Sequence, residues 1–190
     1  MKQILGNWDL GYALDKHVIS SVYIGDDQYG HSRFETTRSK VGEAMYQLKY
    51  QGDWTQVDIL AEEIAVNIYP KFDKVEFLIP MPASKVRAKQ PVTELTKALG
   101  KLVGKPVYEN MLIKKPKGTQ LKDMATKEKK IEILRDSFSV SDEISNTGTW
   151  NALLVDDLFD TGASLEAACA VLRAYPKIKN LYVATLTYKK

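Results

Sequence analysis

The chain has 190 residues, of which 44% are hydrophobic and 27% are charged, and its formal net charge is +3. This composition is ordinary for a globular protein, and so small a charge gives no reason to expect nucleic-acid binding. The apolar stretches are too short to cross a membrane and the first residues lack a signal-peptide core, so we expect a cytoplasmic protein.

The first elements in chain order predict a β-hairpin. Val18–Ile24 and Arg33–Arg38 are rich in β-branched and aromatic residues, and the glycine-flanked segment 25–30 between them is typical of a turn. We expect residues 1–40 to form a hairpin or hood extension of a single domain that spans residues 1–190.

From residue 43 onward, helical and strand-like segments alternate. Helical spacing is found in four segments: Glu43–Tyr50, Trp54–Ile68, Pro91–Leu102 and Glu166–Arg173. Strand-like runs are found in four others: Val75–Ile79, Val107–Ile113, Ala152–Asp156 and Leu181–Thr187. This alternation predicts an α/β fold with a Rossmann-like parallel sheet, flanked by helices and joined by right-handed crossovers.

The loop after Val75–Ile79 is a candidate anion site. Ser84, Lys85 and Arg87 supply a hydroxyl, an ammonium and a guanidinium group within a few residues of one another. These groups suit the concentrated negative charge of a pyrophosphate. The alternative is a turn stiffened by proline, with basic side chains that are only solvated.

A basic segment follows at residues 114–130, where seven lysines stand against two acids. Such a segment is typical of a solvated, mobile loop, and a loop of this kind also suits closure over a pyrophosphate. Nucleic acid is a less favoured partner, because the segment has no aromatic side chains on which bases would stack.

The most informative segment is Ala152–Ser164. An apolar run leads into Asp156 and Asp157, and a helix follows a turn that has no bulky side chain: Asp160, Thr161, Gly162, Ala163 and Ser164. Ligands of open α/β sheets bind at the carboxyl ends of strands, and the N–H groups at a helix N-terminus attract anions. Ionised carboxylates accept hydrogen bonds from hydroxyls, so the segment predicts a site for a sugar phosphate.

Other phosphate-binding motifs fit less well. A Walker A loop and a dinucleotide Gly-x-Gly-x-x-Gly motif are both absent from the sequence. An aspartyl phosphatase or a response regulator stays an alternative, because those folds also place acids at strand ends.

The hydrophobic strand, the two acids, a variable pair and Asp-Thr-Gly-Ala-Ser together resemble the phosphoribosyl pyrophosphate (PRPP) signature of type I phosphoribosyltransferases. The resemblance implies that Asp156 and Asp157 hold the ribose hydroxyls and that residues 160–164 wrap the 5′-phosphate. It also implies that the loop with Ser84, Lys85 and Arg87 binds the pyrophosphate. Mg²⁺ would arrive with PRPP and have no direct protein ligand.

Further segments are similar to ComF-like proteins, which are predicted amidophosphoribosyltransferase relatives linked to competence and DNA uptake. Tyr46–Asp53, Ile79–Pro82 and Thr119–Gln120 occur in the family's order before the signature. The chain departs from the family in two ways. It lacks the four-cysteine zinc module, and residues 89–93 read Lys-Gln-Pro-Val-Thr where the family has Arg-Gly-Phe-Asn-Gln.

The resemblance implies an enzyme that transfers the phosphoribosyl group of Mg-PRPP to a nitrogenous acceptor and releases pyrophosphate. Asp160 is the candidate general base, and a helix N-cap is an equally good role for it. We expect a homodimer with no membrane association. Two other hypotheses are a non-catalytic sensor of PRPP or a nucleotide, and a DNA-uptake accessory protein; no residue names the acceptor.

Overall fold

The computed structural model describes residues 1–84, 87–115 and 136–189. The strands within these ranges are β1 Lys2–Gln3, β2 Leu10–Lys16, β3 Val18–Asp26, β4 Ser32–Arg38, β5 Phe77–Pro80, β6 Leu112–Lys114, β7 Phe138–Val140, β8 Trp150–Phe159 and β9 Ile178–Tyr188. The α-helices are α1 Lys40–Tyr46, α2 Gln56–Asn67, α3 Pro91–Val103 and α4 Ala163–Arg173. A π-helical turn, Gln47–Gln51, continues α1, and a 3₁₀ turn, Tyr69–Lys71, follows α2.

Five strands form the central sheet, in the order β1-β2-β9-β8-β5. β1 is antiparallel to β2, whereas β2, β9, β8 and β5 run parallel to one another. β8 therefore has a parallel neighbour on each side, and its segment Ala152–Val155 is fully buried. A continuous apolar run is what a strand covered on both faces requires. The predicted α/β fold with a parallel sheet is confirmed.

Helices cover both faces of the sheet. Leu153 of β8 packs in one core with Leu60 of α2 and Leu99 of α3. Leu154 packs in the opposite core with Leu172 of α4. Successive strand residues face opposite ways, so β8 contributes alternately to the two cores. No helix in the described ranges is long and apolar enough to cross a membrane.

β3 and β4 form the predicted hairpin, in which the rings of Tyr23 and Phe34 lie 5.7 Å apart across the two strands. Ser39 fixes the base of the hairpin: its hydroxyl donates to the Lys16 carbonyl at 2.5 Å and accepts from the Gly42 N–H at 3.0 Å. The residues before the hairpin add β1 and β2 to the central sheet.

The predicted strand Val107–Ile113 is interrupted, and its last two residues belong to β6, which pairs with β7 outside the central sheet. Val107 makes only a single parallel bridge, to Leu78. The Pro106 carbonyl and the Tyr108 N–H bond to Leu78, after which the chain turns away from the sheet edge. One continuous strand does not form because the chain turns at residues 109–110, between the bridge at Val107 and the start of β6. The other predicted elements are present with shifted ends, and β8 continues as far as Phe159.

Replacement of Leu154 tests the central position of β8. The side chain is fully buried, so we expect Leu154→Ala to lower the free energy of unfolding by about 2–5 kcal/mol through lost burial and a residual cavity. Urea unfolding followed by circular dichroism measures this change. Ile59→Ala on α2 is the matched control, because Ile59 is 51% exposed and should cost far less. Equal losses in the two variants would contradict the placement.

Candidate functional site

A cavity of about 380 Å³ lies at the carboxyl ends of β5 and β8, and we call it the strand-end cavity. Both acids at the end of β8 line it, as do Ser164 of α4 and Ser84 and Arg87 from the loop after β5. The parallel pairing of β5 with β8 explains this meeting, since parallel strands end at the same edge of the sheet. Two separate segments of the chain, residues 156–164 and the loop after β5, thus contribute polar side chains to one cavity.

Asp156 and Asp157 are held close to the backbone at the end of β8. The Asp157 N–H donates to Oδ1 of Asp156 at 2.8 Å, and Asp157 is only 8% exposed. Burial raises the pKa of the Asp156 carboxyl well above its ordinary value, and the negative charge of Asp157 raises it further. The ionised form of Asp156 is therefore disfavoured at this position.

Lys49 is a site residue that the sequence analysis did not single out. Its ammonium group forms an ion pair with the Asp157 carboxylate, and its side chain lines the strand-end cavity. Lys49 belongs to the π-helical turn after α1, and Tyr50 beside it also lines the cavity. The only signal in the sequence was the stretch 46–53, whose likeness to a family gave no role to any single residue.

Two hydrogen bonds support the end of β8 from β9. The Thr187 hydroxyl donates to the Asp157 carbonyl at 3.0 Å, and His17 Nδ1 lies 3.0 Å from the same hydroxyl. A hydroxyl has one hydrogen to donate, so Nδ1 of His17 is the donor in the second bond. Burial lowers the pKa of His17, and the positive charge of Lys189 lowers it further. Both effects favour the neutral imidazole ring. His17 therefore has a hydrogen-bonding role, in which it supports Thr187 and through it the end of β8.

The small-residue turn forms the start of α4, and Ser164 is the residue of the turn that lines the cavity. Gly162 is the N-cap of α4, with a φ of +82°, so the expected alternative in which Asp160 is the N-cap is wrong. The Ala163 N–H lies 3.4 Å from the Thr161 hydroxyl. Asp160 is 54% exposed and pairs with Lys189 at 3.1 Å, and it is not among the residues that line the cavity.

Aromatic packing supports this turn from behind. The ring of Phe159 meets the buried Trp8 ring edge-on, with the centroids 6.3 Å apart. A Cβ atom added at Gly162 would lie 3.0 Å from the Phe159 ring. Both this close approach and the positive φ require glycine at position 162.

The predicted pyrophosphate loop contributes two of its three residues to the cavity. Ser84 and Arg87 line the strand-end cavity, whereas Lys85 lies outside the described residues. Lys114, at the start of the basic segment, also lines the cavity, and its ammonium group donates to the Ser84 hydroxyl at 2.8 Å. The rest of that segment, from 116 to 130, lies outside the described residues, as does Thr119–Gln120.

The chain's potential metal ligands are not clustered in the part that the structure describes. Within the described ranges, no three His, Cys, Asp or Glu side chains are grouped so that they could hold a metal ion. The two carboxylates in the strand-end cavity are hard oxygen groups of the kind that accept hydrogen bonds from Mg²⁺-bound water. They therefore fit a Mg²⁺ ion that is held mainly by a phosphate ligand.

No protein-family model and no curated protein matches the chain. Three solved structures illustrate its structural likenesses. Adenine phosphoribosyltransferase from Leishmania tarentolae is 10% identical over 99% of this chain and 94% of its own, with a TM-score of 0.49. The adenine phosphoribosyltransferase from Thermoanaerobacter pseudethanolicus is 13% identical over 89% and 95%, with a TM-score of 0.47. A hypothetical protein from Neisseria gonorrhoeae with bound ppGpp is 14% identical over 72% and 69%, with a TM-score of 0.47.

These identities and TM-scores are too low for a likeness to assign an activity. The chemistry of the strand-end cavity is set by the side chains that line it.

The raised pKa of Asp156 predicts a pH-dependent cost in stability. Because the fold disfavours the ionised carboxyl, stability falls as pH rises from the unfolded pKa, about 3.9, toward the higher folded pKa. We expect Asp156→Asn to raise the free energy of unfolding near neutral pH, with a gain that shrinks as the pH is lowered toward the unfolded pKa. Urea unfolding across this pH range measures the gain.

The control for this prediction is Glu62→Gln, because Glu62 is an exposed acid on α2. Its free energy of unfolding should follow that of the wild type at each pH. A loss of stability in Asp156→Asn near neutral pH would contradict the assigned pKa shift.

Proposed function

We propose that the chain is a phosphoribosyltransferase that binds Mg-PRPP in the strand-end cavity and transfers the phosphoribosyl group to a nitrogenous acceptor. The supporting observation is that the two acids, Ser164, Ser84 and Arg87 all line one cavity. These groups come from two strand-end loops and provide partners for hydroxyls and for anions. A sugar that carries phosphate groups on both sides requires this combination.

The ribose and its 5′-phosphate would lie between β8 and α4. Asp156 and Asp157 would accept hydrogen bonds from the 2′ and 3′ hydroxyls. The 5′-phosphate would bind the turn of Asp160, Thr161, Gly162, Ala163 and Ser164, where the first N–H groups of α4 have no partner within the helix. The positive φ of Gly162 supports this proposal, because it sets the bend from which α4 begins.

The pyrophosphate would bind Ser84 and Arg87, which line the same cavity. Lys85 is proposed for the same role from its place in the loop. Lys114 adds a cation, since its ammonium group already contacts the Ser84 hydroxyl. Mg²⁺, when bound, would neutralise charge on the pyrophosphate and ribose oxygens, while the two aspartates would order its waters.

In the proposed reaction, the bond from ribose C1 to the pyrophosphate oxygen breaks and a bond from C1 to the acceptor nitrogen forms. Positive charge develops on the ribose as the leaving group takes the electron pair, so the basic side chains act by stabilising pyrophosphate. Asp160 remains our candidate base for the acceptor proton. Its carboxylate pairs with Lys189, so it would have to exchange that partner for the acceptor.

Loss of both carboxylates tests the donor site. We expect Asp156→Asn/Asp157→Asn to weaken Mg-PRPP binding at least tenfold, about 1.4 kcal/mol, because the amides are poorer acceptors for the ribose hydroxyls. Isothermal titration calorimetry measures the affinity, and Glu62→Gln serves as an exposed control. Equal affinity in the wild type and the double variant would refute the site.

Turnover is tested separately, by pyrophosphate release with nitrogenous bases, amines and ammonia as acceptors. Release that requires both Mg-PRPP and one acceptor is the expected result. PRPP binding without release would favour a sensor. The ComF-like assignment also stays a proposal, and DNA binding that weakens steeply with added salt would favour an accessory role in DNA uptake.

We also propose that the protein is a homodimer, with the β3–β4 hairpin at its interface. The hairpin has large apolar side chains that are at least half exposed: Ile19, Val22, Tyr23, Ile24, Tyr29 and Phe34. A two-stranded ribbon is only marginally stable in water without further cover. The hairpin carries both acids and arginines, which makes a second copy of itself an electrostatically suitable partner.

Charged substitutions in the hairpin test the homodimer. We expect Val22→Glu/Ile24→Lys to convert a dimer into a monomer, because each change buries a charge at the interface. Sedimentation equilibrium measures the mass. Val66→Lys on α2, another exposed apolar position, should leave the dimer intact. A wild-type monomer, or a dimer unaffected by the hairpin changes, would contradict the proposal.

A further inference from the structure

Lys49 and Asp157 form an ion pair that is largely withdrawn from water. The side chain of Lys49 is 28% exposed and that of Asp157 is 11% exposed. Removing one member of a buried ion pair leaves the other charge uncompensated, so the two side chains depend on each other. Both also line the strand-end cavity, where this dependence bears on ligand binding.

The backbone that carries Lys49 is fixed on both sides. Leu48 is 1% exposed and packs into the core beneath the turn. Gly52 ends the π-helical turn with a φ of +70°, and its N–H bonds to the Gln47 carbonyl. The Asp53 N–H reaches the same carbonyl at 3.1 Å. π-Helical turns are rare and are frequent at functional sites, and this one holds an ammonium group against the end of β8.

The acids at the end of β8 create an electrostatic problem for the proposed donor. Two adjacent carboxylates repel each other, and together they repel a ligand that carries several phosphate charges. Lys49 offsets one of these charges from within the cavity. The Asp157 N–H contributes on the other side, because it donates to the Asp156 carboxylate.

We propose that Lys49 is a positioning residue, which promotes donor binding by neutralising Asp157 and holding its carboxylate toward the ribose hydroxyls. This inference rests on the proposed function. Lys49 acts through Asp157 and does not bind the pyrophosphate, because its ammonium group is already paired with that carboxylate. The contacts proposed for pyrophosphate are instead Ser84, Arg87 and Lys114, of which Lys114 already contacts the Ser84 hydroxyl.

A double-mutant cycle tests this mode of action. Mg-PRPP affinity is measured by calorimetry for the wild type, Lys49→Met, Asp157→Asn and the double variant. We expect Lys49→Met alone to weaken binding about tenfold or more, and to weaken it less than about twofold when Asp157 is already Asn. Lys49→Arg, which keeps the charge, should bind within about threefold of the wild type. Lys40→Met, an exposed lysine of α1, is the matched control.

Each other outcome has a distinct meaning. A wild type that does not bind Mg-PRPP overturns the proposed function and this inference with it. If the wild type binds and Lys49→Met binds equally well, only the inference fails. A loss that persists in the Asp157→Asn background also overturns it, because Lys49 would then act on the ligand itself. If Lys49→Arg binds Mg-PRPP as weakly as Lys49→Met, neutralisation of Asp157 is excluded. If Lys49→Met does not fold, Lys49→Gln replaces it in the same comparison.

Discussion

The candidate site depends on one electrostatic constraint, which is the placing of two adjacent carboxylates at the end of a buried central strand. β8 is enclosed by parallel neighbours and by helices on both faces, so Asp156 and Asp157 extend a fully apolar run. Partial burial makes their charges costly, and their proximity adds repulsion. Each acid has a different partner: Lys49 pairs with Asp157, and a backbone N–H donates to Asp156. These partners do not fully offset the cost of burying the two charges, and the raised pKa of Asp156 reflects the remainder.

The surrounding structure supports this strand end through hydrogen bonds. Thr187 binds the Asp157 carbonyl and is itself bound by His17, so β9 and the chain before the hairpin both fix the backbone that presents the acids. The start of α4 is supported in a different way, by the packing of Phe159 on Trp8. A ligand that contacts both the acids and this turn would thus meet groups whose geometry is set before binding, which reduces the entropy lost on association.

Features that depend on a pattern in consecutive residues could be predicted from the sequence. The apolar run 152–155 predicted a central strand because burial on both faces leaves a local pattern, and the acids and small residues after it marked the ligand edge of the sheet. Lys49 was not predicted, because its role depends on a contact with a residue far away in the chain. Lys114 was included only as part of a basic segment, whereas its contact with Ser84 depends on how β6 lies beside the loop after β5. The strand expected over 107–113 is divided into a bridge at Val107 and the start of β6, because propensity does not reveal where a chain leaves a sheet edge.

The distribution of charge in the strand-end cavity favours a phosphorylated sugar over a ligand that binds the acid pair alone. An aspartyl phosphatase or a response regulator also has acids at a strand end, but an acid pair alone does not account for the other polar side chains of the cavity. Here Ser84, Arg87, Lys114 and Ser164 also line it. Acceptors for hydroxyls thus share the cavity with partners for anions. The donor that we propose, a ribose with a phosphate at C5 and a pyrophosphate at C1, offers hydroxyls to the acids and anionic groups to the other side chains.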